Sequence, residues 1–121
     1  MGYRGLLKQY EEALATQDFS QIKPLISDEA VFWFNDGSFE GLREIEEAFD
    51  TSFSLIKEER YWISDENWVC VSDDNAVCVY QFNWEGLIDG DRASGFGRGT
   101  SVLSKINGEW KIVHEHLSAV P

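Results

Sequence analysis

Near the C-terminus the chain reads Gly97-Arg98-Gly99-Thr100-Ser101-Val102-Leu103 and, three residues on, Asn107-Gly108-Glu109-Trp110-Lys111-Ile112-Val113-His114-Glu115-His116-Leu117-Ser118. Asn-Gly between two alternating segments is a strong hairpin signal, because the central residues of a type I′ turn need positive φ and these two tolerate it. The stretch is therefore read as two antiparallel strands, residues 93–105 and 109–118. Gly95, Gly97 and Gly99 alternate along the first, an arrangement that lets a neighbouring ring or backbone pack closely. They form no phosphate loop, since no strand-to-helix junction follows them.

Working back from this hairpin, Asp89-Gly90 marks another, and residues 76–87, 67–72 and 61–64 read as further strands. Before residue 56 the apolar period changes from two to 3.6. Tyr3, Leu6, Leu7, Tyr10, Ala13 and Leu14 form a helical stripe with Lys8, Glu11 and Glu12 opposite. Asp18 with Gln21 reads as a capping box opening a second, short helix through Phe19, Ile22 and Leu25, which Pro24 bends or truncates. Residues 31–34 are a short strand, Asn35-Asp36-Gly37-Ser38 a turn, and Leu42, Ile45, Ala48, Phe49, Phe53 and Ile56 the apolar face of a third helix. Helices first and a meander after predict an α+β domain over residues 1–121, with three N-terminal helices packed on one face of a curved antiparallel sheet. There is no linker, repeat or low-complexity segment.

The chain is 43% apolar and 14% aromatic, with five Trp and eight Phe, which excludes disorder. Its net charge of −12 repels polyphosphates, and the basic residues are scattered singly apart from Arg92 and Arg98 among glycines. Nucleic acid and anionic membrane surfaces are therefore unsuitable partners. The longest apolar runs, 31–34 and 76–80, are too short to span a bilayer. The N-terminus has no signal-peptide core, and Met1-Gly2-Tyr3-Arg4-Gly5 is followed by Leu6 where a myristoylation motif needs Ser or Thr, so the expected location is cytoplasmic. For Cys70 and Cys78 the expectation is two buried, reduced thiols. A hairpin pairing Cys70 with Val77 sets them on opposite faces, whereas a one-residue bulge sets them opposite each other.

The C-terminal run quoted above resembles the closing hairpin of SnoaL-like domains of the nuclear transport factor 2 superfamily. It is also similar to the end of the calcium/calmodulin-dependent kinase II association domain, where a comparable Gly, Trp, Val-His-x-His and Ser run occurs. The resemblance covers essentially the whole chain. It implies a cone-shaped domain with a pocket between the concave sheet face and the helices, and dimerisation through the sheet. It does not imply one activity, because the fold hosts isomerases, dehydratases, cyclases, binding modules and oligomerisation domains.

In the related steroid isomerases the catalytic groups are an Asp base on the first strand, a Tyr on the first helix and an acid on a later strand. Tyr10 matches the Tyr, but Phe34 stands at the position of the base, and a phenyl ring cannot abstract a proton. The kinase association domain carries pocket arginines at the positions of Phe82, Ser101 and Leu117, none of which is Arg here. By strict alternation His114 and His116 share a face with Trp110 and Ile112, while Val113, Glu115 and Leu117 share the other. The resemblance places Glu115 and Leu117 in the pocket and the histidines in a sheet-packed dimer interface. Two His fall short of the three or four ligands of a zinc site, so neither a metal nor a cofactor is expected.

Glu115 is the leading ionisable group, since burial in an apolar cavity raises a carboxyl pKa. Its neighbour depends on the Asn107-Gly108 turn: a two-residue loop puts Arg98 and Thr100 on its face, whereas a three-residue loop with a bulge puts Ser101 there. The kinase resemblance favours the bulged register. The residues expected to bind ligand are Tyr10, Trp33, Phe34, Phe82, Ser101, Val113, Glu115 and Leu117; Trp62, Trp84 and Trp110 read as core or interface residues. The functional expectation is a homodimer binding a small apolar or amphipathic ligand. Two alternatives stand beside it: a lyase, cyclase or isomerase of a hydrophobic carbonyl compound using Glu115, Tyr10 and Arg98, and an oligomerisation module.

Overall fold

The computed structural model describes residues 2–121; Met1, which opens the N-terminal pentapeptide, lies outside them. Helix α1 spans Tyr3–Leu14 and buries Leu6, Leu7, Tyr10 and Leu14, the stripe that the 3.6 period predicts. The chain then turns through Gln17 at φ 52°, whose side chain donates to the Ile56 carbonyl at 2.7 Å and so ties the end of α1 to the end of α3. Helix α2, Phe19–Ile22, starts where Asp18 accepts from the Ser20 amide, satisfying one of the free donors at the helix start. Pro24 tightens its continuation into a 3-10 turn, Lys23–Leu25. Helix α3, Gly41–Leu55, is held at its start by Glu44, which reaches back to the Glu40 amide at 3.0 Å.

Six strands form one sheet: β1 (Ile26–Phe34), β2 (Gly37–Glu40), β3 (Lys57–Val71), β4 (Asn75–Ile88), β5 (Asp91–Ile106) and β6 (Glu109–Ala119). Their order is β2-β1-β6-β5-β4-β3. The expected antiparallel pairing holds between all neighbours except β1 and β6, which run parallel. No local turn could announce that pairing, because one helix and four strands lie between its partners in sequence. The expected strands 61–64 and 67–72 are one long edge strand, β3, bent by register shifts and by Asp65 at φ 55°. Within it the Ile63 amide donates to Glu11 of α1 at 2.9 Å, so a helix carboxylate satisfies an edge-strand donor that has no strand beside it.

The core lies between the helices and the inner, concave face of the sheet, where Ile22, Phe32, Ile45, Leu103 and Ile112 are wholly buried. Cys78 belongs to this core, but Cys70 is exposed, which corrects the expectation of two buried thiols. Cys70 pairs with Val77 and Trp68 with Cys78 across a register shift, so the thiols stay free and on different faces.

The last hairpin resolves the register question in a way neither alternative foresaw. Asn107 and Gly108 form a two-residue turn at φ 52° and 80°, with Ile106 opposite Glu109. The bulge exists as well, but inside β6: Leu103 pairs with Ile112 and Val102 with His114, leaving Val113 unpaired between them. Strict alternation therefore fails at Val113. Trp110 and Ile112 face the helices before it, Glu115 and Leu117 face the helices after it, and only His114 and His116 point outward.

Candidate functional site

The inner face and the helices enclose a cavity of about 510 Å3, within the usual range for small-molecule sites. Its sheet wall is a ladder of aromatics. On β4, Tyr80, Phe82 and Trp84 stand directly opposite Gly99, Gly97 and Gly95 of β5, and each ring lies over its glycine. A Cβ at Gly95 would come within 2.6 Å of the Trp84 indole nitrogen, and one at Gly97 would meet both the Phe82 ring and the Ser118 carbonyl. Side chains at these three positions would lift the rings and fill the hollow, so the alternating glycines are what leave the cavity open.

Tyr10 and Leu14 of α1 and Ala48, Phe49 and Phe53 of α3 form the opposite wall, with Phe34 of β1 beside them. Exposed Asn35, Asp36, Thr51 and Leu55 mark the mouth, where half-buried Glu59 also sits, and Glu115 lies at the enclosed end.

Glu115 is only 1% exposed. Tyr10 donates to its Oε2 at 3.2 Å, long for a bond between oxygens, while its Oε1 is fully enclosed and has no hydrogen-bond partner among the described residues. Burial lifts the carboxyl from the usual 4.5 to about 8, opposed only in part by the Tyr10 and Ser101 hydroxyls. Ser101 stands opposite Glu115 on β5, and its hydroxyl shares a hydrogen bond with that of Tyr80 at 2.7 Å in which either oxygen can donate. The Tyr61 hydroxyl is a second enclosed group without a partner among the described residues; the Tyr80 hydroxyl is near it but bonds Ser101. Burial, followed by the repulsion of neighbouring acidic groups, holds Tyr10, Tyr61 and Tyr80 well above the ordinary tyrosine range. Burial likewise raises Glu59 to about 7. The arrangement can hold a proton on Glu115 at neutral pH, or release it to a group that compensates the charge.

Of the residues expected to line a pocket, the fold brings Tyr10, Phe34, Phe82, Glu115 and Leu117 together around this cavity. Three are elsewhere. Trp33 lies on the outer face, 46% exposed, with its indole edge-on to His114 and His116 at 5.0 and 5.7 Å between ring centroids. Neighbouring residues of a strand point to opposite faces, so Trp33 and Phe34 could not both be lining. Val113 is the bulge residue, and Ser101 lies behind Tyr80. Arg98, opposite Ser118, is exposed on the outer face and cannot reach Glu115.

Two members of the expected dimer face are also displaced. Ile112 is core, and Trp110 packs edge-on against Tyr3 of α1 at 5.8 Å. His114 stays outside, where its Nδ1 donates to the Val31 carbonyl at 2.6 Å. Sequence reasoning missed Tyr61, Tyr80 and Glu59, and Trp84, read as a core or interface residue, lines the cavity. Tyr80 was readable, since a two-residue turn at Asp89-Gly90 sets it opposite Gly99. Among the described residues no group of three or more His, Cys, Asp or Glu is placed to hold a metal, and no helix is long and apolar enough to cross a membrane.

A family model described as the SnoaL-like domain matches residues 4–121. No curated protein sequence matches the chain. Among solved structures, a nuclear transport factor 2-like superfamily protein from Salmonella enterica is similar at a TM-score of 0.88 and 22% identity, over 97% of this chain and 87% of that one. The association domain of calcium/calmodulin-dependent kinase II from C. elegans is similar at 0.73 and 20% identity, over 96% and 88%. A nuclear transport factor 2-like protein of unknown function from Pseudomonas putida is similar at 0.83 and 20% identity, over 97% and 83%. At these identities the likeness is one of fold.

Proposed function

The chain belongs to the SnoaL-like domain family, and from that premise we propose that it is a single-domain receptor for a small amphipathic molecule. One observation carries the reading: an open hollow of about 510 Å3, walled by aromatic rings, is lined by a buried carboxyl and a phenol that each have an oxygen without a hydrogen-bond partner among the described residues. A buried polar atom left unpaired costs roughly 1–3 kcal/mol, and a ligand that pairs it recovers that cost on binding. The apolar body of the ligand lies against Phe34, Phe82 and Trp84, and its polar end meets Glu115 and Tyr61. Thermal unfolding with a panel of hydrophobic metabolites tests this, because a ligand bound at a hundred times its Kd stabilises by about 2.7 kcal/mol. Filling the hollow with Ala48→Phe is expected to abolish the shift. A panel that leaves the midpoint unmoved counts against the reading.

The carboxyl held near 8 supports a second reading, that Glu115 transfers a proton to or from a hydrophobic carbonyl compound as a lyase, cyclase or isomerase does. Tyr10, already bonded to Glu115, is the group at hand to assist it, and Arg98 has no part. Turnover unaffected by Glu115→Gln would remove that mechanism. Self-association through the outer face, with Trp33 at 46% and Phe96 at 58% exposure, completes the proposal; sedimentation of the Trp33→Asp, Phe96→Asp double variant as the same oligomer as the wild type would exclude it.

A further inference from the structure

We propose that the ligand carries a cationic nitrogen, an organic amine or ammonium on an aromatic or alicyclic body, and that its N–H bonds Glu115 Oε1 at the enclosed end of the cavity. The inference rests on the receptor reading above and narrows it to a chemical class.

Every residue of the cavity wall that is charged in its ordinary state is acidic: Asp36, Glu59 and Glu115, with no Lys, Arg or His among the lining. None of the three has an ion-pair partner among the described residues. Glu115, 1% exposed, lines that same wall, and its enclosed Oε1 has no hydrogen-bond partner among the described residues. An anionic ligand would find no cation among the lining residues and would face the carboxyls of Asp36 and Glu59. A neutral carbonyl uses only the protonated form of Glu115 and leaves Glu59 and Asp36 uncompensated. An ammonium offers what all three lack, and the faces of Phe82 and Trp84 attract it as well. Such an occupant also reconciles a deeply buried carboxyl with a cavity that has no cation of its own.

Binding is then coupled to a proton. The titratable groups facing Glu115 are Tyr10 from α1, Tyr61 from β3 and Tyr80 from β4, all held protonated, while Glu59 of β3 and Asp36 before β2 share the cavity. An amine arriving as its ammonium form meets Glu115 as a neutral acid; the Glu115 O–H bond breaks, the proton leaves to the buffer, and an N–H···O bond to the carboxylate forms.

Calorimetric titration of the full chain near pH 7 with naphthylethylamine, naphthylethanol and naphthylacetate tests the class with one apolar body and three heads. The amine is expected to bind at least about tenfold tighter than the alcohol, and the acetate at least about tenfold weaker than the alcohol. In two buffers of different ionisation enthalpy the amine should release about one proton and the alcohol none. Glu115→Gln should bring the amine's advantage over the alcohol down from at least about tenfold to less than about twofold. Glu59→Gln assigns the proton, since a release that persists in that variant comes from Glu115. An alcohol that binds as well as the amine overturns the cationic class and leaves the receptor intact. Failure of all three to bind sinks both. If Glu115→Gln does not fold, amine binding by the wild type without proton release overturns the contact with Glu115.

Discussion

The two halves of β6 differ by one inserted residue and have different uses. Before Val113, Trp110 and Ile112 point toward the helices, where Trp110 packs against Tyr3 and Ile112, paired with Leu103, is sealed in the core. After Val113, Glu115 and Leu117 take over the inward positions and border an open cavity, while His114 and His116 face outward. An unbroken strand would have sent Glu115 to the surface if Ile112 stayed inside, or Ile112 to the surface if Glu115 stayed inside. The bulge lets one strand supply both a dry core and an ionisable site, which alternation alone cannot do.

The strongest way to break that comparison is to delete Val113. Its loss makes Leu103–Ile112, Val102–His114 and Ser101–Glu115 consecutive pairs, so alternation returns with every side chain of β6 still on its own face. What disappears is the bend and added twist of the bulge, so the strand must straighten between the dry core and the cavity. The expected cost is about 4 kcal/mol, among the largest for a single change, read from equilibrium denaturation. A deletion variant that unfolds like the wild type would show that the bend itself contributes nothing to stability.

Next in size is Gly97→Ala, which tests whether the aromatic ladder and the second half of β6 are one unit. The added methyl meets the Ser118 carbonyl of β6 on one side and the Phe82 ring on the other, and the backbone cannot give way as a flexible side chain can. We expect a loss of about 3 kcal/mol in urea denaturation, the upper end for overpacking. A loss below about 1 kcal/mol would mean that the sheet can separate from the pocket wall without strain.

Much of the ladder is legible in the sequence. Asp89-Gly90 is a two-residue turn, so the pairing of Tyr80, Phe82 and Trp84 with the three alternating glycines follows from turn length alone. The bulge was harder, yet it has a trace: apolar residues fall at Trp110 and Ile112 and then at Leu117, out of phase, with Val113 at the slip. Nothing local marks the parallel pairing of β1 with β6, because it joins distant segments with no turn between them. Glu59 and Tyr61 were missed for a related reason. Strand β3 starts at Lys57, next to the end of α3, with no turn residue to show where helix gives way to strand.

A third prediction sharpens the electrostatic side of the comparison. In the unfolded chain Glu115 ionises near its usual 4.5, and in the fold it ionises near 8. Between these values the native state holds a proton that the unfolded state has lost, so stability is full below about 4.5 and falls as pH rises through 8. The slope is at most about 1.4 kcal/mol per pH unit, and water entering the open cavity reduces the total to about 2 kcal/mol. Glu59, half exposed and raised to about 7, acts in the same direction with a smaller share. Denaturation midpoints from pH 5 to pH 9 should therefore decline for the wild type and decline less for Glu115→Gln, which becomes the more stable protein at the alkaline end. Parallel curves for the two proteins would place the wild-type decline on other groups.

The smallest expected effect belongs to the residue next to Glu115. His116 follows it in the chain, but on the exposed face, where its ring meets only the edge of Trp33 at 5.7 Å and accepts no burden of the core. Substitutions at such positions usually change stability by less than about 0.5 kcal/mol. His116→Ala should therefore leave both the denaturation midpoint and the alkaline decline where they were, although it sits one residue from the carboxyl that controls the decline. If His116→Ala instead shifts the decline, the ring and the carboxyl communicate through the strand, and the two faces of β6 beyond Val113 are not independent.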